Sequence, residues 1–328
     1  MKRALVIGIN DYARTPLSGC VNDARAVAQL LERNGDGSPN FEVRTLVSPG
    51  DDARAGALSE AIAELFSGEA ETALLYFAGH GLLSPDTNTG YLCASDVERG
   101  RWGVSLEELL GLANAAHPKI RSSVIVLDSC HSGYAGESAA LNAKNTAVIG
   151  VGVTILAASH RDQTAGETAG HGVFTGIFLD GLSGACSDIC GNVTPAALYS
   201  HVDQTLGPWK QRPIYKANVQ HFVSLRNVAP KVALETLRRL PTYFPEKGSV
   251  FALDPSFEEN RANVPGLAHI PINPGNVAIL KELQSCNRHG LVVPVDAEHM
   301  YDAAVNATGC KLTATGVHYR NLATLNRI

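Results

Sequence analysis

A cysteine and a histidine each follow an apolar run of the chain. The run 122–127 is followed within three residues by Cys130, and the run 73–78 within two residues by His80. The histidine precedes the cysteine by 50 residues. An imidazole held beside a thiol can take its proton, and the thiolate that results is a strong nucleophile. The pair therefore predicts nucleophilic catalysis, provided that the fold brings the two side chains together.

The runs that lead to these residues have the character of buried strands. Short apolar runs bounded by polar and glycine residues are typical of strands in a parallel sheet. The carboxyl ends of such strands meet at one edge, where ligands bind in open α/β sheets. Because side chains alternate along a strand, we expect Asp128 and Cys130 to point to the same side. His131 then points to the other side, where we expect a structural role.

The rest of the first 228 residues repeats this pattern. Apolar strand-like runs alternate with amphipathic helix-like segments, and residues 82–95 predict a hairpin. This alternation predicts an α/β fold, with a mostly parallel sheet covered by helices on both faces. After residue 228 the chain becomes rich in proline, so we predict a domain boundary near residue 229. We expect residues 229–328 to form a smaller α+β or helical module ending in two helices, 296–306 and 313–325, around a turn at Gly309.

Composition narrows the functional classes. The 328 residues are 45% hydrophobic and 18% charged, with a net charge of −5, so no general surface for nucleic acid is expected. The first residues lack the apolar length of a signal peptide, and no apolar stretch could span a membrane. The seven cysteines show no disulfide framework, and the pair Cys186 and Cys190 has no second pair at zinc-finger spacing. We therefore expect a cytoplasmic protein with reduced thiols and no membrane partner.

Several short motifs stand out in the first part of the chain, and they are Leu17-Ser18-Gly19-Cys20-Val21-Asn22-Asp23-Ala24, Tyr76-Phe77-Ala78-Gly79-His80-Gly81, Asp128-Ser129-Cys130-His131-Ser132-Gly133, Ala157-Ala158-Ser159, Gln163-Thr164-Ala165-Gly166-Glu167 and Gly172-Val173-Phe174-Thr175. Together these motifs resemble the caspase superfamily, nearest to bacterial metacaspase-like peptidases. The resemblance spans residues 1–228 and implies a caspase-like peptidase domain.

The resemblance implies a cysteine endopeptidase acting on protein or peptide substrates. Cys130 would be the nucleophile and His80 its base, and the N–H groups of Gly81 and Cys130 would form the oxyanion hole. It also implies a substrate pocket that includes Asp23, Asp128 and Cys20, in which two carboxylates would favour Arg or Lys before the cleaved bond. From the residues alone, Asp128 could instead accept loop N–H groups, and Asp23 could be a carboxylate favoured by the helix dipole.

The sequence also suggests modes of regulation and two alternative functions. The segment 134–148 contains one basic residue, Lys144, which would be its processing site for an enzyme that prefers basic residues. No cofactor is predicted, although some metacaspases need calcium, and an activating protein or protease would fit the resemblance. One alternative is an inactive caspase-like scaffold that presents residues 229–328. Another is a regulator that binds nucleic acid through a winged-helix-like end, although from residue 230 onward the ten Lys or Arg barely exceed the nine Asp or Glu.

Overall fold

A computed structural model describes residues 1–84, 89–129, 149–158, 167–168, 171–207, 213–261 and 264–328. These residues divide into two compact units. The first contains residues 1–187 and 192–228, and the second contains residues 188–191 and 229–328. Within the described residues, no helix is both long and apolar enough to cross a membrane.

The strands and helices are numbered along the chain. The strands of the described residues are β1 (Lys2–Ile9), β2 (Phe41–Ser48), β3 (Ala70–Ala78), β4 (Gly81–Leu83), β5 (Gly90–Glu98), β6 (Arg101–Ser105), β7 (Ile120–Asp128), β8 (Val153–Ala157), β9 (Glu167–Thr168), β10 (His171–Gly172), β11 (Asn192–Val193), β12 (Ile214–Asn218), β13 (Arg226–Asn227), β14 (Val250–Ala252), β15 (Val292–Val295) and β16 (Gly309–Leu312). The helices are α1 (Cys20–Glu32), α2 (Ala55–Leu65), α3 (Leu106–Ala116), α4 (Val173–Asp180), α5 (Pro195–Leu206), α6 (Leu234–Tyr243), α7 (Pro274–Arg288), α8 (Met300–Val305) and α9 (Ala314–Thr324).

The first unit is built on one large sheet. Its strand order among the described residues is β12-β8-β7-β3-β1-β2, and all neighbouring strands run parallel except the edge strand β12. Along β7, Val124 and Val126 face one side of the sheet, whereas Ile125 and Leu127 face the other. Both sets are fully buried, because α1, α4 and α5 cover the first face and α2 and α3 the second. The predicted α/β fold with helices on both faces is confirmed.

The chain reverses its winding direction between β1 and β3. It passes from β1 through α1 to β2 on one side, and then through α2 to β3 on the opposite side of β1. The loops that leave the carboxyl ends of β1 and β3 therefore run apart and open a crevice, which is where ligands bind in folds of this kind. His80 follows β3 directly, so the topology places it at this crevice.

A small antiparallel sheet extends from the end of β3. The strands β4, β5 and β6 pair in that order, and Gly81 aligns with Leu92. The predicted hairpin is confirmed by the pairing of β4 with β5, although its tip at residues 85–88 lies outside the described residues.

The second unit is an α+β module. Strands β14, β16 and β15 form an antiparallel sheet with β16 in the centre, and residues from α6, α7, α8 and α9 share its core. The predicted turn at Gly309 is wrong, because Gly309 begins β16 and the chain there runs helix, strand, helix. Cys310 and Leu312 are buried while Lys311 is exposed, which is the alternation expected of a strand. The strand has only four residues, too few for this alternation to be recognised in the sequence.

Candidate active site

The imidazole of His80 is held by the loop that follows β1. Its Nε2 lies 2.7 Å from the carbonyl oxygen of Thr15. A carbonyl oxygen only accepts hydrogen bonds, so Nε2 must carry the proton of this bond. In the neutral ring, Nδ1 is then the nitrogen with the lone pair. His80 is half-buried just beyond the end of β3, and Nδ1 is the ring nitrogen that is left with a lone pair.

Tyr12, in the same loop, supports His80 from a second direction. The N–H of His80 donates to the Tyr12 hydroxyl at 3.0 Å, and that hydroxyl donates to the carbonyl of Cys93 on β5 at 3.2 Å. The two rings pack with their centroids 4.6 Å apart. Tyr12 is buried, so one phenol fixes both the main chain and the ring plane of His80.

The amide of Gly81 faces away from its partner strand. The N–H of Cys93 donates to the carbonyl of His80, and the N–H of Ser84 donates to the carbonyl of Thr89. Bonded and non-bonded pairs alternate in an antiparallel ladder, so Gly81 and Leu92 form a non-bonded pair. Since β4 is the edge strand of this sheet in the described residues, the Gly81 N–H is directed outward, as an oxyanion donor must be.

The carboxylate of Asp23 is bound by residues of β10. One of its oxygens lies 2.5 Å from Nδ1 of His171, and the other accepts the N–H of Gly172 at 3.0 Å. Asp23 is only 2% exposed. It belongs to the first turn of α1, where the helix dipole favours a carboxylate. The two partners follow it by almost 150 residues, so this carboxylate joins the beginning of the first unit to the start of α4.

A chain of hydroxyl groups holds the second carboxylate. Thr175 donates to Asp128 at 2.6 Å, and its oxygen is 2.5 Å from the hydroxyl of Tyr76. Thr175 has a single proton, so Tyr76 must donate to it. Burial raises the pKa of Tyr76 well above its ordinary value, and the nearby charges of Asp128 and Asp23 raise it further. The tyrosine therefore remains a donor at physiological pH.

Both carboxylates converge on Gly172. Its N–H binds Asp23, and a Cβ atom at this position would collide with the carboxylate of Asp128. Only a glycine lets the backbone approach so closely. Asp23, Asp128, His171, Gly172 and Thr175 thus form one buried or half-buried cluster on the α1 and α4 face of the sheet, which we call the acidic cluster.

The described residues bring together most, but not all, of the predicted site. Cys20 is the first residue of α1 and is buried in the apolar core, and its backbone carbonyl closely approaches Gly8. Cys130, His131 and Lys144 lie outside the described residues. The last aligned pair of β3 and β7 is Ala78 with Asp128, and His80 and Cys130 each follow their member of this pair by two residues.

Sequence reasoning assigned no site role to four residues of this region, namely Tyr12, Thr15, His171 and Thr175. Thr15 contributes only a backbone carbonyl, which the sequence cannot reveal. Thr175 carries a usable signal, because it is a hydroxyl residue that stands between Phe174 and Phe178 on the buried part of α4. The described residues contain no cluster of three or more His, Cys, Asp or Glu side chains that could hold a metal ion.

Comparison with known proteins identifies the family. A model of the caspase domain matches residues 1–223. The chain belongs to the caspase family. The predicted superfamily and the caspase-like fold are confirmed. The caspase family is a family of cysteine peptidases, so membership supports that class. The metacaspase-like subgroup stays a prediction.

Two solved structures are similar to the chain over about 70% of its length. A crystal structure of a Geobacter sulfurreducens protein is similar to this caspase-family chain with a TM-score of 0.51 and 19% identity, covering 70% of this chain and 97% of the other. Caspase-1 from Spodoptera frugiperda is similar with a TM-score of 0.49 and 13% identity, covering 69% of this chain and 90% of the other. No curated protein matches the chain.

Proposed function

We propose that this caspase-family chain is a cysteine endopeptidase that uses Cys130 and His80 and cleaves after Arg or Lys. The observation that carries the proposal is the position of His80 at the crevice between β1 and β3, with Nε2 bound to the Thr15 carbonyl and Nδ1 left as the basic nitrogen. The equal spacing of His80 and Cys130 beyond an aligned strand pair supports their meeting at this edge.

The reaction follows from these groups. His80 accepts the thiol proton at Nδ1, and the Cys130 sulfur attacks the scissile carbonyl to form a carbon–sulfur bond. The N–H groups of Gly81 and Cys130 bind the oxyanion that develops. When the carbon–nitrogen bond breaks, His80 gives the proton to the leaving amine. Water then attacks the thioester, His80 takes its proton, and the thiolate leaves.

The selectivity for basic residues is supported by the acidic cluster. Asp23 and Asp128 are 2% and 7% exposed, and both carboxylates lie beside Gly172. A substrate guanidinium could form charge-assisted bonds with such carboxylates, whereas an acidic side chain would meet like charges. A profile dominated by Asp before the cleaved bond would contradict this part of the proposal.

The proposal is tested with a peptide library and an active-site label. We expect the purified full chain, with and without calcium, to cleave after Arg or Lys and to be labelled at Cys130 by an arginine chloromethyl ketone. The Cys130→Ala variant should show neither activity. If the wild type is neither labelled nor active under any of these conditions, the chain is an inactive scaffold.

Self-processing is a further part of this proposal. An enzyme that prefers basic residues would cut its own chain after Lys144. Intact-mass analysis should then show two fragments from the wild type and an uncut chain from both Cys130→Ala and Lys144→Ala. Full peptidase activity in an uncut wild type would instead point to an activating partner or to residues 229–328 as the regulator.

A further inference from the structure

The second hydrogen-bonded support of His80 is a buried side chain rather than a backbone group. The Tyr12 hydroxyl accepts the His80 N–H and donates to the Cys93 carbonyl, so both of its hydrogen-bonding roles are used. Burial raises the pKa of Tyr12 well above its ordinary value, so the hydroxyl keeps its proton and both bonds persist at physiological pH. The phenol therefore links β5 to His80, the residue that we propose as the base, through two hydrogen bonds.

The neighbouring residues are shaped around this phenol. A Cβ atom at Gly79 would lie 2.6 Å from the Tyr12 oxygen and 2.9 Å from the Phe77 ring. Both distances are shorter than side chains tolerate, so a glycine at this position is what lets the hydroxyl reach the main chain beside His80. Tyr12 also lies three residues before Thr15. The same loop therefore contacts the His80 ring, binds the His80 backbone N–H and binds the His80 Nε2.

We propose that Tyr12 is a positioning residue for catalysis, which fixes the plane and backbone of His80 so that Nδ1 addresses the Cys130 thiol. This inference rests on the proposed function. Replacing the phenol by a phenyl ring would keep the ring contact but would leave the His80 N–H and the Cys93 carbonyl without their shared partner. The imidazole would then sample other orientations, and small displacements of a catalytic group cost large factors in rate.

The test compares four variants of the full chain. Tyr12→Phe removes the hydroxyl, Gly79→Ala displaces it, and His80→Ala removes the base. Tyr199→Phe is the matched control, because Tyr199 is a partly buried tyrosine that stacks on Tyr215, with ring centroids 5.2 Å apart. Thermal unfolding of each variant reports any general loss of stability.

The decisive readout is the pH profile of Cys130 alkylation by iodoacetamide, corrected with Cys130→Ala. Burial raises the pKa of Cys190 to about 11 and those of Cys286 and Cys310 to about 12, so these three thiols should react slowly. Subtracting the rate of Cys130→Ala removes the contribution of Cys20, Cys93 and Cys186. We expect the alkylation midpoint of Tyr12→Phe and Gly79→Ala to move from the wild-type value towards that of His80→Ala. We also expect a fall in kcat of about ten- to a hundred-fold with KM nearly unchanged.

The outcomes separate this inference from the proposed function. If wild type and His80→Ala have the same alkylation midpoint, His80 does not act on Cys130, and both the proposed mechanism and the role of Tyr12 are overturned. If those two differ but Tyr12→Phe keeps the wild-type midpoint and kcat, the mechanism stands and the inference is wrong. An activity loss that merely follows thermal stability, with an unchanged midpoint, would also overturn it, since that result would make Tyr12 structural.

Discussion

His80 and the acidic cluster are held at the same edge of the large sheet by different parts of the chain. His80 is fixed by groups within the first hundred residues, namely the Tyr12 hydroxyl and the Thr15 carbonyl, with Cys93 behind them. Asp23 and Asp128 are fixed by residues 171–175, which follow the segment that carries Cys130. His80 is thus held by groups that precede the Cys130 segment or lie on β5, whereas the two carboxylates depend on residues at the start of α4.

His80 and the acidic cluster should therefore respond to mutation in different ways. In the proposed mechanism the His80 side chain takes part in the reaction, and it is only half-buried, so its loss should affect chemistry more than folding. The acidic cluster is buried and joins β3, β7, α1 and α4, so its changes should affect both substrate selection and stability. The predictions below separate these effects, beginning with the largest.

The largest effect is expected from removing the base. His80→Ala should lower kcat by about 10²- to 10⁴-fold, because the variant lacks the side chain that we propose as the acceptor of the thiol proton. Steady-state cleavage of an Arg peptide measures this loss, and circular dichroism checks that the fold is kept. The losses in His80→Ala and Cys130→Ala should not add in the double variant, since the two residues act as one unit. A double variant much less active than either single variant would argue against the dyad.

Neutralising the acidic cluster should change substrate selection more than thiol chemistry. Asp128→Asn should lower kcat/KM for Arg peptides by roughly a hundred-fold, because a charge-assisted bond to the substrate is lost. The alkylation rate of Cys130 by iodoacetamide, which carries no charge, should stay close to that of wild type. Equal losses in both measurements would show that Asp128 supports the nucleophile and not the pocket, and the comparison between the two sides would fail.

The hydroxyl chain offers a test of stability. Thr175→Val keeps the shape of the side chain but leaves the Tyr76 hydroxyl and one oxygen of Asp128 without their partner. We expect the free energy of unfolding to fall by about 1–3 kcal/mol in urea titrations. Thr205→Val is the control, because Thr205 is exposed on α5 and should change the value by less than about 0.5 kcal/mol. Equal effects at the two sites would contradict the buried network.

The smallest effect is expected at the rim of the acidic cluster. The His171 side chain is 38% exposed, so solvent weakens its interaction with Asp23. His171→Asn should therefore lower the free energy of unfolding by no more than about 1 kcal/mol and change KM for Arg peptides only a few-fold. A loss as large as that of Asp128→Asn would show that His171 organises the cluster, and the division between its rim and its buried part would need revision.

Most strands and helices of the first unit, and the sheet edge at which the candidate site lies, can be predicted from the sequence. Apolar runs ending at Asp128 and at Gly79-His80 predict two strands that end at one edge of a sheet, and in the structure β3 and β7 are paired there with Ala78 beside Asp128. The alternation of strands and helices predicts the covered parallel sheet, and the hairpin after His80 follows from its turn residues. These features can be recognised in the sequence because the spacing of apolar residues along a strand or a helix follows its structural period.

Only the tertiary structure decided which distant groups meet. The bond between Asp23 and His171 spans 148 residues, and that between Thr175 and Asp128 spans 47. Thr15 holds His80 through a carbonyl that every residue possesses, so its residue type gives no signal. The strand β16 was missed because four residues are too short for a clear period, and its pairing with β14 and β15 stabilises it. Such contacts depend on strand register and the winding of the chain, which local patterns do not encode.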